Sequence, residues 1–352
     1  MRYKLGDSGP AVSDIRERLV RLGLLPSSNS IEFDNEVLSA IKSFQTARGL
    51  SVDGMVGADT WARLDEAVWA LGDRVLLFTP GHLIHGDDVA QLQQRLSQLG
   101  FGCGRVDGIF GKLTDHAVRE FQKSVGISAD GVVGLDTVQG LHRLAKTVAG
   151  GNAAALREKL RHESKRTGIA DKVVVLDVGS DPFADPTLSA KAIELASQVV
   201  ELLEGKLSAL GTTVLLTHSK DGRPTTITRA DFANSAAADV LLSVQIGIST
   251  DPTTHGVSAY HFSGTHGYSV LGVELANFVV DQVVALTPFT NPQIQGKSWP
   301  LLRATTMPAV AVDLGYLTHK DDSLLVREPA TLTSAAKGLM NALIKFFEPV
   351  GR

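Results

Sequence analysis

The chain has little of what would tie it to a membrane, an oxidising compartment or a nucleic acid. Its 352 residues include one cysteine, Cys103, so no intramolecular disulfide is available and no oxidising compartment is implied. Aromatic residues make up only 6%, and 34 basic against 38 acidic side chains leave a net charge of −4. That balance excludes the positive field of a sequence-independent nucleic-acid binder, and no nucleic-acid partner is expected. No apolar run approaches the ~18 residues needed to cross a bilayer. The opening residues, MRYKLGDSGPAV, lack the apolar stretch of a signal peptide. The expectation is a cytoplasmic protein without a transmembrane segment. What is present, 43% hydrophobic residues and 34 glycines, is the composition of a globular chain long enough for two or three domains.

The first half is a duplication. Shifted by 77 positions, residues 9–64 fall on 86–141 without a gap, and about a third of the pairs are identical. Val12, Arg18, Leu19, Leu22 and Gly23 fall on Val89, Arg95, Leu96, Leu99 and Gly100. Phe44-Gln45 falls on Phe121-Gln122, Asp53-Gly54 with Gly57 on Asp130-Gly131 with Gly134, and Asp59-Thr60 on Asp136-Thr137. Each copy reads as three short helices. Val12, Ile15, Leu19 and Leu22 stripe one face, Ala40, Ile41 and Phe44 a second, and Trp61, Leu64, Val68 and Leu71 a third. Asp59 or Thr60 is placed to cap the third helix. A copy of some 60 residues has a marginal core, so packing of the two copies is expected to help.

These residues resemble the peptidoglycan-binding repeat of cell-wall hydrolases: a V-to-L-x-x-L-G helix, then A-V-x-x-F-Q, then D-G-x-V-G-x-x-T. The second copy also keeps Asp107-Gly108 and Phe110-Gly111, whereas the first departs with Ser30-Ile31-Glu32-Phe33-Asp34. Most of the shared residues suit core and turn positions. Repeat one is placed at 1–75 and repeat two at 80–147. A linker and charged helix follow at 148–170, where Arg157, Glu158, Lys159, Arg161, Glu163, Lys165 and Arg166 read as a solvated face with i,i+4 pairs.

From 171 to 352 strands alternate with helices, which predicts an α/β domain built on a mostly parallel sheet. The strand candidates are Val173–Asp177, Thr213–Thr217, Val240–Gln245, Val257–Phe262 and Ala309–Asp313. Helices are expected over Leu188–Leu210, Arg229–Ala238, Gly267–Ala285 and Ala335–Phe347. A site is expected beyond the carboxyl ends of the strands.

Three segments of this domain resemble the zinc-dependent N-acetylmuramoyl-L-alanine amidases of the Amidase_3 type. They are Val173 to Ser180, Arg229 through Asn234 and Ala238-Asp239 to Gln245, and Leu302-Arg303 through Thr318. The resemblance implies a fold and a degenerate metal site. The family's first zinc histidine falls on Ser180, its glutamate near Leu188, its second histidine on Gln245, and its catalytic glutamate on the shorter Asp313. Serine, leucine and glutamine are poor zinc ligands, and a catalytic zinc site normally has three good ones. Bound zinc can lower the pKa of water from about 15.7 to about 7, which is on the order of 12 kcal/mol. Asp313 alone cannot supply that. His218, His255, His261, His266 and His319 match no zinc spacing, and no G-x-S-x-G elbow surrounds Ser180. No catalytic residue, metal or cofactor is therefore expected.

Two such repeats ahead of a zinc-less amidase-like domain resemble the actinobacterial CwlM group, on the run Met307-Pro308-Ala309-Val310-Ala311-Val312-Asp313-Leu314-Gly315-Tyr316-Leu317-Thr318. That resemblance implies an inactive cytoplasmic regulator of peptidoglycan precursor synthesis. The partner it implies is the enolpyruvyl transferase MurA, with peptidoglycan precursors as further ligands. It also implies a Ser/Thr kinase and phosphopeptide-binding partners, although the group's regulatory threonines lie in a tail beyond the amidase-like domain and this sequence stops at Arg352. Two rival expectations are a zinc amidase with an atypical site and a passive peptidoglycan-binding module.

Overall fold

A computed structural model describes residues 2–145, 153–179, 185–218 and 224–349. The chain divides into two compact units, Met1–Arg157 with Ser263–Tyr268, and Glu158–Phe262 with Ser269–Arg352.

The first unit holds both repeats. In the first, α1 (Pro10–Arg21), α2 (Asn35–Ala47) and α3 (Ala58–Ala67) enclose Val12, Ile15, Leu19, Phe33, Val37, Ile41, Phe44 and Leu64. In the second, α4 (Asp87–Gln98), α5 (Lys112–Ser124) and α6 (Leu135–Ala145) enclose Val89, Leu92, Leu96, Phe110, Val118, Phe121 and Leu141. The expected stripes fall on the buried faces, with two corrections. Helix α3 stops before Val68, and Leu71 packs instead against the second core, beside Leu76 and Phe78. Neither Asp59 nor Thr60 caps α3, because its N-cap is Gly57 and the Thr60 hydroxyl is taken by Gln45. Each repeat thus has its own core. An ion pair between Arg48 and Asp87, 2.6 Å long and largely shielded, ties the two together.

Helix α7 (Ala153–Glu163) leads to β1 (Val173–Val178), α8 (Pro186–Ser208), β2 (Thr213–Leu216), α9 (Thr226–Ser235) and β3 (Val240–Gly247). Then come β4 (Val257–Phe262), α10 (Val270–Val284), β5 (Gln293–Lys297), α11 (Pro300–Ala304), β6 (Ala309–Tyr316), α12 (Asp322–Leu325) and α13 (Pro329–Phe347). The six strands order as β2-β1-β3-β6-β4-β5. All neighbouring pairs are parallel except β4 with β6. No helix separates β3 from β4, so that connection is not a βαβ crossover, and β4 runs antiparallel to its neighbour. Helices α8, α10 and α13 cover one face, where Val174, Leu176, Leu242, Val244, Val310 and Val312 meet Leu203, Val279 and Leu343. Helices α9 and α11 cover part of the other, over Val175, Leu241, Tyr260, Ala309 and Ala311. Helices on both faces explain the near-continuous apolar runs of β1 and β3.

The charges around α7 do not form the i,i+4 pairs expected of a solvated helix. Glu158 accepts from Ser269 Oγ (2.8 Å) at the start of α10, and Lys165 pairs with Asp239 (2.7 Å). Arg166 pairs with Glu274. His162 is buried, stacked 4.1 Å from Phe346, and its Nε2–H donates to the Phe346 carbonyl at 3.0 Å. Tertiary partners at the ends of α10, α13 and β3 outbid local pairing, which is worth only ~0.2–0.5 kcal/mol per pair.

Candidate functional site

The amidase-like motifs converge on the carboxyl ends of β1, β3 and β6, and most of their residues turn out to build the sheet. Asp177 is fully buried on β1. Both of its oxygens meet Arg229 Nη1 (2.8 and 2.7 Å), and it also accepts from the hydroxyls of Thr217 and Ser243. A buried carboxylate with an ion-pair partner and two hydroxyl donors is satisfied and has no capacity left for a ligand. Asn234 plays a similar role one turn along. Its Nδ2 donates to Ala304 O, and its Oδ1 accepts from Thr306 N (2.8 Å), fastening α9 to the chain after α11. Asp239 accepts the Val173 amide at the start of β1.

Gln245 and Asp313 stand opposite each other in register on β3 and β6. The Gln245 side chain folds over Gly179, where a methyl group would collide with its Cγ and Cδ. Gly179 N donates to Val244 O (2.9 Å), which holds the end of β1 against β3 there. Asp313 is buried and hydrogen-bonded by two phenols: Tyr260 Oη donates to Oδ2 at 2.8 Å and Tyr316 Oη at 3.1 Å. The two phenolic oxygens lie 3.3 Å apart, and Tyr316 Oη lies 3.2 Å from Ser258 Oγ. Burial, followed by the charge of Asp313, pushes both tyrosines up, Tyr260 far above the ordinary range and Tyr316 to about 12. Both phenols therefore keep their protons near neutrality and stay hydrogen-bond donors.

Tyr316 reaches this cluster through a local break in the strand. Residues 313 and 316 of a regular strand point to opposite faces. Gly315 takes φ +74°, and the β3–β6 register shifts so that Gly247 pairs with Tyr316. A methyl group at Gly247 would collide with the Tyr316 ring. Two glycines, one for its backbone angle and one for its missing side chain, thus bring the second phenol to Asp313. Sequence reasoning quoted Tyr316 without a role and passed over Tyr260. Alternation along Val257–Phe262 places Ser258, Tyr260 and Phe262 on one face, a signal that was available for Tyr260.

Of the remaining positions, Leu188 is the third residue of α8, half-buried, and its amide is capped by Asp185 Oδ1 (3.1 Å). Ser180 lies outside the described residues. His261 is buried on β4 with Nδ1 3.1 Å from Phe262 O, and His255 stacks on His319 at 4.8 Å. Among the described residues, no group of three or more histidines, cysteines, aspartates or glutamates is arranged to hold a metal ion. Zinc, which the resemblance makes the family's resident ion, asks for imidazole, thiolate or carboxylate. The site offers it a carboxamide, an aliphatic side chain and a carboxylate bonded to two phenols. The donor set does not fit zinc.

In the repeats, the Phe-Gln motif has a structural task. Gln122 Oε1 accepts from Gly131 N (2.9 Å), and its Nε2 faces Asp130 Oδ1 (2.9 Å), Val132 O (3.0 Å) and Thr137 Oγ1 (3.2 Å). Gln45 makes the same four contacts with Gly54, Asp53, Met55 and Thr60. A third clamp, which sequence reasoning missed, is Gln93. It holds Asp107, Gly108, Ile109 and Thr114 in the same way. The second repeat is thus two successive helix-loop halves, each closed by one glutamine. In the first repeat the Gln93 position is Arg16, which bonds Glu32 O (2.9 Å), Asp34 Oδ2 (2.8 Å) and Ser28 Oγ (3.0 Å). That substitution accounts for the departure at Ser30–Asp34, where no Asp-Gly turn is left to clamp.

Comparison with known proteins agrees with this architecture. The pattern of the N-acetylmuramoyl-L-alanine amidase family matches residues 175–345, and that of a peptidoglycan binding domain matches 8–64 and 85–141. A protein of Mycobacterium tuberculosis, N-acetylmuramoyl-L-alanine amidase CwlM, is 34% identical over 361 residues, covering 98% of this chain and 89% of that one. N-acetylmuramoyl-L-alanine amidase CwlL of Bacillus licheniformis is 30% identical, covering 41% of this chain and 46% of its own. Among solved structures, the catalytic domain of CwlV from Bacillus (Paenibacillus) polymyxa var. colistinus is 22% identical with a TM-score of 0.44, covering 50% of this chain and 97% of that one. On the shared sequence along nearly its whole length, this chain belongs to the N-acetylmuramoyl-L-alanine amidase family.

Proposed function

We propose that this chain is a catalytically inactive amidase-like regulator of peptidoglycan precursor synthesis, acting by binding other proteins in the cytoplasm. The observation that carries this reading is the state of Asp313. The carboxylate at the family's catalytic position accepts two permanent phenol hydrogen bonds and faces a carboxamide across the strand pair. A carboxylate so engaged does not activate water for attack on an amide, and its neighbours do not replace a metal. The fold's shape survives loss of the chemistry and remains available as a recognition surface. The partner that fits the sequence resemblance is an enolpyruvyl transferase of the MurA type. Peptidoglycan precursors are further candidates, as are a Ser/Thr kinase with phosphopeptide-binding partners.

Two measurements test this. Metal analysis of the purified chain is expected to give far less than one zinc per molecule, with no release of L-Ala peptides from muropeptides. Stoichiometric zinc with such release would restore the hydrolase reading suggested by the names of the relatives. In parallel, addition of the chain to the transferase is expected to raise its turnover. Unchanged turnover together with sedimentation on purified peptidoglycan would favour a passive wall-binding module.

A further inference from the structure

Strand β5 ends in a lysine that the amidase reading does not use. Gln293, Ile294, Gln295 and Gly296 are exposed along this edge strand, and Lys297 becomes half-buried at its end. Lys297 pairs in register with the buried Phe262 of β4. Two residues on is the half-buried Trp299, its ring 4.5 Å from Tyr260. Other lysines of this unit have partners: Lys165 bonds Asp239, Lys172 bonds Thr167 and Lys191 bonds Glu194. Among the described residues Lys297 has no hydrogen bond or ion pair. Burial holds its ammonium below the ordinary lysine range, and the charge of Asp313 offsets this only in part. An amine that is poorly solvated, unpaired and beside an open strand edge is suited to act as a nucleophile.

We propose that Lys297 is an acylation site, taking an acyl group from a small acyl phosphate. The neutral Nζ attacks the acyl carbon, a C–N bond forms, and the C–O bond to phosphate breaks. Phosphate leaves with the electron pair, and the proton on nitrogen passes to water. The product is a neutral amide. Acylation removes one positive charge from the surroundings of Asp313 and adds an acyl group next to Trp299. Because Lys297 occupies none of the family's metal positions, the inference stands whether or not the chain hydrolyses anything.

The test is site-resolved acetylation of the full chain by acetyl phosphate near neutral pH, with initial rates at each lysine read by peptide mass spectrometry. Each unit by which a pKa falls raises the neutral fraction tenfold. It lowers intrinsic nucleophilicity by about threefold, on the Brønsted slope of about 0.5 known for thiols. A net gain of about threefold per unit is thus expected. Lys297 should react at least about threefold faster than the exposed Lys42, Lys112 and Lys320, and that advantage should vanish in strong urea. Lys297→Arg should remove the signal. A rate at or below that of the exposed lysines, or an advantage that persists in the unfolded chain, overturns the proposal.

Discussion

Gln122→Ala provides the sharpest test of how the repeats are held together. The side chain is 1% exposed and closes a turn of which Gly131, at φ +75°, is the centre. Truncation leaves the buried Gly131 N–H without its acceptor and Val132 O without one of its donors; Thr137 Oγ1 keeps its own bond to Val132 O (3.1 Å). An orphaned buried donor costs about 1–3 kcal/mol, and the small void adds to it, so a loss of about 2–4 kcal/mol is expected. At about 2–4 °C per kcal/mol for a unit of this size, the first unit should melt roughly 4–16 °C lower. Urea titration gives the free energy, and hydrogen exchange at the Gly131 amide gives the local readout. Gln45→Ala and Gln93→Ala should show losses of the same order, because the contacts are the same. Asp130→Ala, at an exposed acceptor, should cost much less. The reasoning fails if Gln122→Ala loses under about 1 kcal/mol or if the Gly131 amide stays protected.

Other outcomes follow from the sheet unit. Asp177→Ala strands Arg229 and two hydroxyls, and breaking a buried pair of this kind costs about 3–5 kcal/mol; a denaturant midpoint unchanged from the parent would contradict the assignment. Gly315→Ala forces an alanine into the left-handed region and presses its methyl group onto Phe289, so a loss above about 1–2 kcal/mol and a changed tyrosine near-UV signal are expected. His162 is docked neutral, its pKa lowered by burial and then by the charge of Arg166, with Glu274 pulling the other way. For a base lowered on docking, stability is complete above the free value of 6.5 and is lost as pH falls below it, when only the undocked ring takes up a proton. Hydrogen exchange in α7 should therefore speed up below about pH 6.5, and His162→Phe should remove that pH dependence.

The duplication, the helical stripes and five of the six strands were legible because each rests on a period in apolar residues. Strand β5 was not, since Gln293-Ile294-Gln295-Gly296-Lys297 has an exposed edge and no alternation to mark it. The reversal of β4 was hidden as well, because a strand's own residues do not reveal its direction. At the candidate site, position-by-position reading located Gln245 and Asp313, and the structure does set them face to face. It could not supply the two tyrosines as partners. Tyr316 lies three residues from Asp313, where strand periodicity places it on the wrong face until the turn at Gly315 is known. The charged run around α7 misled for a related reason: local spacing suggested helix pairs, and the actual partners lie more than 70 residues away in sequence.

The glutamine clamps also bear on the order in which the chain folds. Gln45, Gln93 and Gln122 each tie residues 8 to 21 positions away. The central pairings of the sheet join segments roughly 70 residues apart, as in β1 with β3 and β3 with β6. Closing short loops costs little chain entropy, and structures rich in local contacts fold fast. The repeats should therefore reach their native state well before the sheet, each half locking as its own glutamine meets its turn. During synthesis they would be complete while β6, the strand that carries Asp313, had yet to emerge.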